Sequence, residues 1–465
     1  MSGRATGRAQ RGLALLLLLF VVFLGAAALL IQRLHPTAPQ LQRDMVSDAA
    51  LVVAKEALLA YAATYAESHP NKLAGYLPCP DTGSHGVNVH EGSPDPPCGR
   101  KGVSVIGRLP WHQLGVDPPR DGSGECLWYA VSGAFKNDPA ADLLNWDSLG
   151  QFTIMAPQGR SIVAGAAPED LAAAVIFAPG APLRGQNRDG VAQAPLCGGN
   201  YVAANYLDSD GDLDNAAVSA LAGAITRVGI SGYGNAVNDR LLTITPREVF
   251  ALLQKRGDFV AQIKEHLRRL GSCVAAYGGR NGAGAADPRL PWAAPLVVAD
   301  YGNNSAYADQ ANLLGGRLPY RVDRSRSATA NTMGTAELIN SSNCPPPWSA
   351  LDDEWYKNWK DHLFYAVAGA FAPGASAPGA CGSCLRVNGS GRYAAVLLFA
   401  GARVAGQSRA DNGDRSAIAN YLEQRNATNY PNAGGDADYQ STAANAAFND
   451  IAYCIDTSLQ VAPCP

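Results

Sequence analysis

The chain has 465 residues, with 37 Lys and Arg against 40 Asp and Glu for a net charge of −3. At 47% hydrophobic it is too apolar to be disordered throughout, and its balanced charge excludes a duplex-binding surface, so no nucleic-acid partner is expected. The length allows two or three domains, and 49 glycines with 30 prolines require abundant turns.

Arg4, Arg8 and Arg11 precede an uncharged apolar run from Leu13 to Ile31, long enough for a bilayer core. The positive-inside bias predicts a basic cytoplasmic leader over 1–12 and a transmembrane helix over 13–34. The expected location is therefore the inner membrane, crossed once, with the bulk periplasmic or surface-exposed. Processing has three readings: an uncleaved anchor, a secretory signal cut near Ala26-Ala27-Ala28, and a short leader cut between Gly12 and Leu13.

All ten cysteines follow that run, and export makes disulfides their expected state. Connectivity does not follow from spacing alone. Local pairs Cys79 with Cys98 and Cys454 with Cys464 are the nearest candidates, with Cys126 and Cys197 as further ones.

Between Leu41 and Tyr65, Met45, Val52 and Leu59 recur at seven-residue spacing beside Leu51, Leu58 and Tyr65, which predicts an amphipathic helix. Pro36 and Pro39 mark an expected kink before it. A second helix is predicted from Thr245, an N-cap followed by Pro246 and by Glu248 at the capping-box position, as far as Gly271. WYAV at Trp128, FYAV at Phe364, and the apolar runs Val175 to Ala178 and Val396 to Ala400 read as buried strands.

WYAVSGAF from Trp128 and FYAVAGAF from Phe364 agree at six of eight positions, too few to exclude chance alone. The agreement continues, however, in one order: AAVIFAPGAPLRGQNR from Ala173 with AAVLLFAGARVAGQSR from Ala394, ANYL at Ala204 with ANYL at Ala419, and Asn238-Asp239 with Asn449-Asp450. RLPW at Arg108 has two counterparts, RLPW at Arg289 and RLPY at Arg317. Ordered recurrence predicts a duplicated unit of roughly 200 residues, much longer than a solenoid repeat. The modules are expected over 35–240 and 241–465.

The acidic stretch LDSDGDLDN sets Asp208, Asp210, Asp212 and Asp214 at alternating positions around Gly211, a pattern that can offer oxygens to calcium. Leu213 and Ser219 occupy the places where an EF-hand needs glycine and glutamate, so that motif is not met. The plainer reading is a solvated acidic turn. Cys79, His85, His90 and Cys98 are a zinc set only if the thiols stay reduced, and Cys381 with Cys384 forms a C-x-x-C without thioredoxin context. No nucleophile-elbow, zincin or P-loop motif occurs. Asp352, Asp353 and Glu354 beside Trp355 and Trp359 read as a solvated loop, or as a platform that stacks a ligand ring.

The leader Gln10-Arg11-Gly12 followed directly by the apolar run resembles the N-terminus of type IV pilins and type II secretion pseudopilins. Leu17 stands where most pilins carry glutamate. The helix followed by Leu77-Pro78-Cys79-Pro80, GRLPW from Gly107 and LWYAV from Leu127 resembles an exported pilin-like family. The resemblance implies an α+β fold: a membrane helix continuing into an amphipathic helix, then two pilin-like modules of helix plus antiparallel sheet. It implies a structural or assembly role as a minor pilin or pseudopilin, with other pilin-like subunits or secretion and pilus assembly proteins as partners, and no catalysis. The alternative is an envelope-anchored adhesin or ligand-binding protein with a calcium-ordered loop.

Overall fold

Thr37 to Ser68 contains no glycine, one proline in its first turn and many alanines, so helix is the favoured state throughout. This helix, α1 (Thr37–Ser68), stops before Pro70, whose ring disfavours a helical His69, and Asn71 turns the chain at φ 62°. The computed structural model describes residues 37–84, 90–157, 161–190, 194–230, 237–279, 288–323, 336–382 and 384–465. Among these no helix is long and apolar enough to cross a membrane. That finding overturns the expected fold headed by a transmembrane helix, and with it the single-pass inner-membrane location. Helix α1, the longest of the described helices, is no span because Arg43, Asp44, Asp48, Lys55 and Glu56 interrupt every apolar stretch before about 20 residues accumulate. The run 13–34, with Gly12 and Leu13, lies outside the described residues.

The core-facing side of α1 is Leu51, Ala54, Leu58, Ala62 and Tyr65, all buried. The seven-residue row points elsewhere: Met45 is 64% and Val52 46% exposed. Val52 stands one residue, about 100°, around the helix from Leu51, so the sheet covers the parallel row Leu51, Leu58 and Tyr65 and leaves the row of Met45 and Val52 outside.

The first half contributes β1 (Val105–Arg108), β2 (Trp128–Val131), β3 (Phe152–Met155), β4 (Ile162–Ala164), β5 (Ala174–Ala178), β6 (Ser209–Asp210), β7 (Leu213–Asp214), β8 (Thr226–Gly229) and β9 (Arg240–Ile244). Its main sheet is antiparallel in the order β1-β2-β5-β9, with α1 packed on β5 and β9. Alternation along the strands gives it two apolar faces. Tyr129, Val131 and Ile176 face the main core, whereas Trp128, Ala130, Val175 and Phe177 join Phe152, Ile154 and Val228 of a second sheet, β4-β3-β8.

Next come α2 (Pro246–Gln254), α3 (Gly257–Gly279), β10 (Gly315–Arg317), α4 (Ala350–Trp359), β11 (Leu363–Val367), β12 (Leu385–Val387), β13 (Ser390–Phe399), α5 (Asn412–Ser416), α6 (Gln424–Thr428), β14 (Asp438–Tyr439), β15 (Ile451–Asp456) and β16 (Val461–Pro463). The capping box is present: Thr245 Oγ1 accepts from Glu248 N, and Glu248 Oε2 from Thr245 N at 2.8 Å. The single predicted helix is instead two, and Gly271 does not end it. A Cβ on Gly271 would sit 2.7 Å from Val461 Cγ1, so this glycine admits β16 to the helix face.

Antiparallel neighbours β10-β11-β13-β15 repeat the order of β1-β2-β5-β9. Registers match: Gly107 opposes Tyr129 and Gly316 opposes Tyr365; Ile176 opposes Leu242 and Leu397 opposes Tyr453. The Tyr129 hydroxyl donates to Pro78 O at 3.3 Å, and the Tyr365 hydroxyl to Pro291 O at 3.1 Å. These bonds decide between the two counterparts of RLPW. Arg108 corresponds to Arg317, while the RLPW at Arg289 occupies the place of Tyr76-Leu77-Pro78-Cys79. Helix α3 packs on β13 and β15 as α1 does on β5 and β9. One continuous hydrophobic cluster runs through both halves, from Leu51 and Leu58 through Phe250 and Trp355 to Tyr365.

Gly107 and Gly316 hold equivalent places because another strand of chain crosses there. A Cβ would lie 2.5 Å from Asp81 O and 2.0 Å from Ala294 O, respectively. Gly316→Ala is expected to cost about 1–3 kcal/mol by forcing these backbones apart. Urea denaturation checks this, and an unchanged midpoint would show that the segments part freely.

Candidate binding cleft at the junction of the halves

A cleft of about 570 Å³ opens between the C-terminal half of α1, helices α2 and α3, and α4. Its floor includes Ala63, Leu73, Phe250, Phe259, Ile263 and Trp355, drawn from both halves. Ion pairs line the rim: Arg256 reaches Glu67 of α1 at 2.8 Å and its neighbour Asp258 at 3.2 Å, and Arg269 meets Glu265 one turn earlier on α3 at 2.9 Å. Lys55 of α1 reaches Glu248 of α2 at 2.5 Å.

The acidic stretch before Trp355 is a helix rather than a solvated loop. Ser349 caps α4, and Asp352 folds back to accept from Ser349 N at 2.9 Å and from its hydroxyl at 2.7 Å. The same carboxylate meets His266 Nδ1 at 2.9 Å and Arg269 Nη1 at 2.9 Å. Burial opposes its ionisation, but the bonds from His266 and Ser349 prevail and hold it at about 2. The His266 ring stacks on Trp355 with centroids 4.8 Å apart, and both side chains line the cleft. Trp355 and Trp359 are buried, so neither stands open as a stacking platform. Among the described lining residues none is Ser, Thr or Cys, and the hydroxyl that meets the pair, that of Ser349, donates to Asp352.

Beneath the cleft, residues 142–148 of the first half dock into the second. Leu144 N donates to Asn358 Oδ1 at 2.6 Å, and Asn145 Nδ2 to Asn358 O at 2.9 Å. Trp146 meets Trp359 edge to face at 4.6 Å. Asp147 lies against His362 Nε2 at 2.9 Å, Arg409 Nη1 at 3.0 Å and Arg403 Nε at 3.4 Å. Burial works against the charge on Asp147, yet Arg409 and His362 outweigh it and hold the carboxyl below its usual range.

The candidate calcium residues separate because the chain reverses between them: Asp208 precedes β6, Asp210 ends it, Asp212 lies in the turn and Asp214 ends β7. Asp208 turns inward and accepts from Gln186 Nε2 at 2.8 Å and Asn238 N at 2.7 Å. Asp210 and Asp214 flank a hairpin whose turn holds Gly211, at φ 63°, and Asp212. Asp214 Oδ1 accepts from Ala216 N at 2.9 Å. The structure brings Asp208 to the backbone of Asn238 and Asp239 rather than to the turn.

All ten cysteines are paired: Cys79–Cys98, Cys126–Cys197, Cys273–Cys344, Cys381–Cys384 and Cys454–Cys464. The two sulfurs of the zinc set, Cys79 and Cys98, are therefore bonded to each other; its His85 lies outside the described residues.

Sequence reasoning missed two buried polar groups. One is Asp147 with His362 and Arg409, which no local pattern announces. The other is Glu423 with Asp450, for which the repeated Asn-Asp dipeptide was a usable signal. No protein-family model matches the chain, and no curated protein or solved structure resembles it significantly.

Proposed function

We propose that this chain is a contact protein of an oxidising compartment, a pilin-like or pseudopilin-like assembly subunit that binds an apolar segment of a partner in the α1–α4 cleft and performs no chemistry there. The observation that carries this reading is the cleft itself, an apolar, partly aromatic floor inside a rim of paired charges. That distribution matches a surface where apolar contact supplies affinity and charge supplies register. Asp352 is held by Ser349 and Arg269 as well as by His266, and the His266 ring stacks on Trp355, which suits holding α3 to α4. Five disulfides favour service outside a reducing cytosol. The leader motif Gln10-Arg11-Gly12 and the duplicated helix-plus-sheet units favour assembly over free ligand carriage.

Selection of a displayed peptide library on the purified chain tests the reading. Peptides with apolar or aromatic anchors are expected to enrich, and Ala66→Trp, which fills the cleft from the exposed edge of α1, is expected to weaken them at least tenfold. No enrichment, or binding indifferent to Ala66→Trp, would overturn it.

A further inference from the structure

Asp450 and Glu423 are both almost wholly buried and lie side by side in the second half. Asp450 Oδ2 accepts from Glu423 N at 3.1 Å and Asn426 Nδ2 at 3.0 Å. Glu423 accepts from Gln407 Nε2 at 3.1 Å and Asn449 N at 3.1 Å. Every oxygen of the pair therefore has a donor except Asp450 Oδ1, which is buried without one. The first half builds the same knot with a shorter side chain, since Asp239 Oδ2 accepts from Asp208 N at 2.8 Å and Asn215 Nδ2 at 3.0 Å. An arrangement that outlasts the exchange of Asp for Glu is a built feature.

We propose that Asp450 holds a proton that it shares with Glu423, and that this proton is a pH-sensitive clamp joining the chain after β13, the start of α6 and the approach to β15. Asp450 and Asn449 also line a second cleft, of about 510 Å³, between Val260 and Ile263 of α3 and the segment before β15. Two ionised carboxylates in contact inside a protein repel each other and lose their hydration together, so one proton between them is the stable state. The charged groups around Asp450 are Glu423 beside it, Arg409, which is held through Gln407, and Lys264 of α3 on the opposite cleft wall. Neither cation donates to the pair. Burial first, and then the charge of Glu423, raise the Asp450 carboxyl well above its ordinary range.

The folded chain thus keeps a proton that the unfolded chain releases above about pH 4. The contribution is complete below that pH and is lost as pH rises toward the raised value, by up to tenfold in the folding equilibrium constant per pH unit. Asp450→Asn puts an amide where the carboxylic acid stood. Between pH 5 and 7.5, the stability of the wild type is expected to fall relative to Asp450→Asn, with the ratio of folding constants drifting in one direction. Infrared spectra should carry a protonated-carboxyl band at neutral pH, shifted or weaker in Glu423→Gln, which removes the carboxylate that shares the proton and one of the two causes that keep Asp450 protonated. Parallel stability curves would sink the proposal. If Asp450→Asn fails to fold, the spectra decide: no protonated-carboxyl band in the wild type, or one unchanged in Glu423→Gln, overturns it.

Discussion

Asp147→Ala is expected to destabilise the chain by about 3–5 kcal/mol, read as a lowered urea midpoint. The magnitude follows from what remains behind. Arg409 is fully buried, and its Nη1 contacts only Asp147, Gly401 O and the His362 ring. Removing the carboxylate leaves that guanidinium without a counter-ion in a place water does not reach. The effect reaches across the molecule, because Asp147 belongs to the first half and Arg409 to the second. The pH dependence runs opposite to that of Asp450. A carboxyl held below its usual range supplies stability that is complete above about pH 4 and lost as pH falls, so the gap between wild type and Asp147→Ala is expected to close in acid. A midpoint shift worth less than about 1 kcal/mol at neutral pH would mean that the docking of 142–148 rests on Trp146 and the hydrogen bonds to Asn358 instead.

Opening the Cys126–Cys197 bond by a double serine substitution is expected to cost about 4 kcal/mol. The bond closes a separation of 71 residues, and loop-closure entropy in the unfolded chain scales with the logarithm of that length. Cys381 and Cys384 are separated by 3, so the same substitution there is expected to cost under about 2 kcal/mol. Guanidinium titrations of the two double variants check the ranking. Equal losses would show that native-state packing around the sulfurs, and not chain entropy, sets the contribution.

Much of the architecture was legible because it is local. The capping box at Thr245, the strands at Trp128, Phe364 and Val175, and the ordered recurrence of motifs all depend on neighbours in sequence. Other readings failed where a distant partner decides. Met45 and Val52 fit a helical stripe as well as Leu51 and Leu58 do, and only the sheet beneath chose between them. Gly271 reads as a stop until β16 is seen lying against it. Asp352 reads as solvated until His266 and Arg269, more than 80 residues earlier, close on it.

By itself, then, the chain's order of residues determined that two kindred units of helix and strand occur in succession and that cysteines brace them. It also carried the repeated Asn-Asp pair that marks Asp450. Tertiary structure alone decided that both units share one apolar interior, that an aspartate from one neutralises an arginine of the other, and that a cleft opens where their helices meet. The physical reason is range: hydrogen-bond geometry and side-chain periodicity act over a few residues and leave a trace in sequence, whereas burial and charge pairing act through space on groups hundreds of positions apart.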